Sequence, residues 1–217
     1  MHTPAHIGHF SGCENHAGCW CETRRYLLVF LISVGILGVE TGGWWLSDSL
    51  ALLGDAGHVA VDMCAMGVAL VVSIFVRVHP DRNVAKVRMG GFALQIILLS
   101  LVAGFLFVHG YERVVAPVSI VPIPLLVSAV VGGCLNILQV WILETGEKNI
   151  TSHGARAHLF ADLLTSVGVV ASGVVIMLTG WHHIDGIVSI GIACFIVWQV
   201  YALTRHAKNH SHHHDHI

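Results

Sequence analysis

The chain has 217 residues, 55% hydrophobic and 11% charged, with a formal net charge of -2 and a mean hydropathy of +0.74. Soluble domains carry roughly 25% charged residues, so most of this chain must dissolve in lipid, and nothing in its charge suggests a nucleic-acid partner. The informative count is 17 His, four of them in the first 16 residues and six between His206 and His216.

Residues 1–25 are polar and carry His2, His6, His9, Cys13, His16, Cys19 and Cys21. They do not form a secretory signal, because Arg24 and Arg25 come after them and not before an early apolar core. The segment reads as a disordered tail or as a metal-collecting one, and its spacing matches no compact zinc knuckle. Six apolar stretches follow, each near the ~20 residues that a bilayer requires: about 26–46, 49–76, 87–108, 118–143, 155–178 and 184–203. The expected fold is an all-α membrane protein of six transmembrane helices. Arg24, Arg25, Arg77, Arg82, Lys86, Arg88, Lys148, Arg205 and Lys208 fall on one side if the six spans alternate, and Arg113 falls on the other. Loop cations mark the cytoplasmic side, so both termini are predicted to be cytoplasmic. There, Cys13, Cys19 and Cys21 stay reduced and suit metal binding better than disulfides. Cys64, Cys134 and Cys194 lie one each in apolar runs and read as small packers. Gly54 and Gly57 flank Asp55 and His58 in the second span, and Gly168 and Gly173 follow Asp162 in the fifth, which suits helices that pack closely.

The second span carries Asp55, His58 and Asp62 inside an apolar run. His58 and Asp62 are i and i+4 and share a helix face. The fifth span repeats the device with His158 and Asp162. Ionisable groups within an apolar helix are costly and mark function by default. Two nitrogens and two carboxylate oxygens make a ligand set suited to tetrahedral zinc, and the loaded site is formally neutral. The spacing therefore points to an intramembrane divalent-metal site and to a metal transporter. Metal binding needs deprotonated ligands, so protons compete for the same groups. Competition at a site that opens alternately to each side gives metal–proton antiport, with Zn2+ as the transported substrate and protons as counter-ion. The structural alternative pairs each His with its own Asp. For His109 the reading is a hydrogen-bonded packer.

These stretches resemble the cation diffusion facilitator family, the proton-coupled zinc exporters. Ser49, Ala51, Leu52, Leu53, Asp55, His58, Asp62 and Ala65 satisfy its signature, with Gly54 and Gly57 as mild departures. Asn149, His158, Asp162, Ser166, Val167 and Gly168 look like its fifth span, and Glu112, Pro117, Trp181 and Asp185 fit too. The resemblance covers about residues 26–206. It implies a transport site of His58, Asp62, His158 and Asp162 for zinc, with cadmium or cobalt as alternatives, in a bacterial inner membrane. It divides the chain into a His/Cys-rich cytoplasmic tail over 1–25, a transport domain over 26–206 and a His-rich tail over 207–217. Most members continue into a cytoplasmic domain that binds metal and dimerises; about a dozen residues follow Arg205 here. A naturally short member is expected, in which any homodimer forms through membrane helices.

Other polar residues have weaker claims. Asp55 is read as a proton relay or exit ligand, against a hydrogen bond to a neighbouring helix. His79 and Asp81 are candidates for an accessory metal, as are His210, His212, His213, His214 and His216 of the tail. Glu40, Gln95, Asn136 and Gln139 are read as residues that tie helices together, against a place along the transport path. His153 and Arg156 read as an interfacial anchor, and His182 and His183 lie at the outer face. A metal sensor or scaffold is the alternative function. An intramembrane metalloenzyme is disfavoured: no His-Glu-x-x-His occurs, no Glu lies beside the ligands as a general base, and four protein ligands would close the site.

Overall fold

A computed structural model describes the backbone of residues 20–78, 84–144 and 150–211, and the side chains of residues 27–65, 67–68, 90–142 and 162–205. Six helices account for nearly all of it: α1 (Trp20–Ser47), α2 (Leu50–Val78), α3 (Val84–Val115), α4 (Pro122–Glu144), α5 (Ile150–Thr179) and α6 (His183–Ser211). The order and number match the six apolar stretches. Among the described residues, α1, α3, α4, α5 and α6 are long and apolar enough to cross a membrane. The helix that carries Asp55, His58 and Asp62, α2, is not among them.

The bundle is inverted relative to a soluble protein. Leu101, Phe107, Ile123, Val127, Leu164 and Trp198 are exposed, whereas Glu40, Asp55, His58, Asp62, Asn136, Asp162 and Asp185 are buried. An apolar exterior around a polar interior is what a hydrocarbon solvent demands. α2 is central and packs against α1, α3, α5 and α6. α3 packs on α6, and α4 packs on both α1 and α5. Between these helices Ile36, Leu52, Leu99, Leu106, Leu125 and Ile196 are wholly buried.

The helix ends explain the tight turns. α1 stops where Asp48 takes a left-handed conformation (φ 60°) and its N–H bonds Trp44 O at 2.8 Å; Asp tolerates that region better than most side chains. The next residue, Ser49, caps α2, its Oγ accepting the N–H of Leu52 at 3.2 Å. α5 ends on Gly180 (φ 68°), whose N–H reaches Ile176 O at 2.8 Å. α4 opens on Pro122, in the first helical position that Pro favours.

The N-terminus of α2 is also capped from another helix. Asp185, fully buried in the first turn of α6, accepts the N–H of Leu50 at 2.9 Å, the N–H of Ala51 at 3.3 Å and the hydroxyl of Ser49 at 2.5 Å. One carboxylate thus takes donors that a helix start leaves over, at the positive end of the helix dipole. Arg113 at the end of α3 completes the arrangement: its guanidinium bonds Asp185 Oδ2 at 3.1 Å and also the carbonyl of Asp48.

Candidate metal centre

The α-helical repeat puts His58 and Asp62 one turn apart on α2, and both face α5. His58 Nε2 lies 3.4 Å from Asp62 Oδ2 and 3.2 Å from Asp162 Oδ1. One donor atom from each of the three lies within 4.8 Å of the others, and all three side chains are buried. Two carboxylates and an imidazole converging in a buried interior form a hard–borderline donor set. It suits a divalent cation better than water or an organic ligand. His158 sits on α5 four residues before Asp162, and its side chain lies outside the described residues.

Asp55 is not one of the converging donors. Its Oδ1 is 2.6 Å from Thr165 Oγ1 and its Oδ2 accepts from Ser166 Oγ at 3.1 Å. Thr165 Oγ1 is also 2.8 Å from the Asp162 carbonyl, and Ser166 Oγ accepts from Asn136 Nδ2 at 3.2 Å. A hydrogen-bonded chain therefore runs from α4 through α5 to α2. In this arrangement Asp55 has the helix-tying geometry weighed for it in the sequence. Asn136 ties helices as expected, and so does Gln139, whose Nε2 donates to Val29 O and Ser33 Oγ of α1 at 3.0 and 2.8 Å. Glu40 does not: its carboxyl is buried without a hydrogen-bond partner among the described residues.

His79, Asp81, His212, His213, His214 and His216 lie outside the described residues, as do Cys13 and Cys19 and the side chains of Cys21, His153, Arg156 and His210. His109 is hydrogen-bonded as expected, to Glu112 at 2.7 Å, but partly exposed. His182 Nδ1 accepts the N–H of Ile120 at 3.2 Å, and His183 Nδ1 lies 2.8 Å from Val114 O, so both join helix ends. Thr165 was missed by sequence reasoning; its signal was a hydroxyl residue three positions after Asp162, within reach of the same helix face. The capping role of Asp185 had no local signal, since its partners lie 134 to 136 residues away.

Comparison with known proteins adds the context. Residues 26–208 match the cation efflux transmembrane domain. Zinc transporter ZitB of Pectobacterium atrosepticum is 35% identical over 190 residues, covering 85% of this chain and 59% of the relative. Zinc transporter ZitB of Escherichia coli is 32% identical over 214 residues, covering 96% and 65%. A cadmium, cobalt and zinc/H(+)-K(+) antiporter of Bacillus subtilis is 29% identical over 195 residues, covering 84% and 61%. The chain thus spans about three fifths of the length of these relatives.

Proposed function

Because the chain belongs to the cation diffusion facilitator family of membrane transporters, we propose that it exports zinc from the cytoplasm in exchange for protons. The observation that carries this reading is the buried convergence of His58, Asp62 and Asp162 from two helices of a lipid-facing bundle. Two donors on a tetrahedral ion with bonds of about 2.1 Å lie roughly 3.4 Å apart. The separations of 3.2 and 3.4 Å around His58 Nε2 fit that spacing with little rearrangement. His158, one turn before Asp162 on α5, is the fourth ligand of the proposal. Two carboxylates and two neutral imidazoles then cancel the charge of the metal substrate, which lowers the cost of holding it in an apolar interior.

Exchange follows from the same donors. Asp62 and Asp162 bind metal only when deprotonated, so proton arrival on one side drives metal release there. In this reading α2 is the sixth span and both termini are cytoplasmic, as the loop cations indicate. The protein then works in a bacterial inner membrane. The three-segment division, the accessory sites at His79 and Asp81 and in the tail, and a homodimer through membrane helices belong to the same proposal.

The test is zinc uptake into proteoliposomes under an imposed pH gradient, with Asp62→Ala and Asp162→Ala beside the unmodified chain. Gradient-driven uptake is expected in the unmodified chain, and its loss in both variants. Uptake that ignores the gradient would remove proton coupling, and uptake retained by both variants would displace the site.

A further inference from the structure

Among the described residues, Glu40 is the one buried carboxylate to which none of the roles above gives a task. It lies on α1, seven residues before the end at Ser47, or about 10 Å along the axis at 1.5 Å per residue. Its relative exposure is 0%, and neither oxygen has a hydrogen-bond partner among the described residues. The other buried acids differ. Asp185 has three donors and Arg113, Asp55 has two hydroxyls, and Asp62 and Asp162 share His58. Glu40 is also closely enclosed by α4: a methyl group placed on Gly132 would lie 2.7 Å from Oε1. The glycine makes room for a carboxyl group and supplies no donor to it.

Among the described residues, the charged groups that act on it are acids, Asp55 of α2 and Asp162 of α5. α4 brings no charged side chain among its described residues. A carboxylate among carboxylates, without a donor and out of water, is a costly arrangement. A carboxylic acid there costs far less, because it carries no charge. A divalent cation held by Asp62 and Asp162 cancels their two negative charges, and with them most of the repulsion that opposes ionisation of Glu40.

We propose that Glu40 is a proton-binding site separate from the metal donors, which holds a proton while the cluster is empty and gives it up when zinc arrives. The O–H bond breaks, the carboxylate keeps the electron pair and the proton passes to water. The inference deepens the antiport reading and rests on it. By helix position Glu40 lies between the metal cluster and the Ser47 end of α1, which that reading places outside. This is the side from which an exporter takes its protons.

The experiment counts protons released on zinc addition to the purified full chain in weakly buffered detergent, using a pH indicator dye. Glu40→Gln and Glu40→Met are compared with the unmodified chain. Gln keeps the shape but cannot ionise; Met removes the unsatisfied oxygens at similar volume and guards against a folding defect in the first variant. Both variants are expected to bind zinc within about threefold of the unmodified chain, and to release roughly one proton fewer per zinc near neutral pH. In proteoliposomes they should keep zinc entry down a zinc gradient and lose most of the acceleration by a pH gradient. An unchanged proton count in either zinc-binding variant overturns the proposal, and so does loss of zinc binding in both, which would make Glu40 part of the metal site. If the unmodified chain binds zinc but moves none, the transport reading fails while the proton count still decides the role of Glu40.

Discussion

At the scale of single residues, polar side chains are spent on two tasks, and spacing distinguishes them only in part. The i, i+4 placement of His58 and Asp62 was legible because a helix face is a local property, and the same pattern at His158 and Asp162 made the pairing of two helices readable. The hydroxyls that hold Asp55 were less legible, since Thr and Ser are common in membrane helices and only the third dimension joins them to an acid on α2. Thr165 Oγ1 at 2.6 Å is the shorter of the two contacts to Asp55. Thr165→Val keeps the shape and removes that donor, leaving a buried acceptor with one partner. It should lower stability by about 1–3 kcal/mol, read as a fall in the thermal midpoint in detergent, with zinc binding retained.

At the scale of elements, the six helices were readable from apolar length, and their ends were placed to within several residues except where a helix runs beyond its apolar stretch. α3 was expected to stop at about 108 and runs to Val115, because its last turns carry His109, Glu112 and Arg113 into polar contacts that hydropathy does not register. Beyond the α2–α5 pair, which helices lie against one another was not readable, and glycines decide part of it. On α3 and α6 the backbones nearly touch: a methyl on Gly186 would lie 2.6 Å from Gly110 O and 2.9 Å from Val114 N. Backbone cannot move aside as a side-chain tip can, so Gly186→Ala must push the two helices apart. A cost of about 1–3 kcal/mol is expected. Gly104→Ala, where nothing lies within 4 Å of the added methyl on the same α3, is the control and should be neutral or slightly stabilising. Equal thermal midpoints for the two variants would refute the close approach.

At the scale of the whole molecule, the exposed apolar shell and buried polar interior make lipid the solvent, as composition required. What composition could not convey is that the start of α2 is fastened to two other helices by one carboxylate. Asp185→Asn exchanges an acceptor oxygen for an amide group facing the Leu50 and Ala51 N–H groups or Arg113, and leaves the guanidinium without its counter-charge. A loss of about 3–5 kcal/mol is expected, measured as the thermal midpoint beside Glu112→Gln, whose exposed ion pair with His109 should contribute less than about 1 kcal/mol. The fastening also sets the kind of motion the bundle permits. Sliding α2 along α6 would break the Ser49, Leu50 and Ala51 bonds to Asp185 together, and the two-residue link of Asp48 and Ser49 leaves α1 little slack to follow. Tilting costs far less, because the bonds lie at the fulcrum. Asp62 stands twelve residues along α2 from Leu50, about 18 Å away, so a tilt of only about 10° swings it by about 3 Å. That displacement exceeds the length of a zinc–oxygen bond, and the collar at Asp185 makes α2 a lever that carries His58 and Asp62 along its first half.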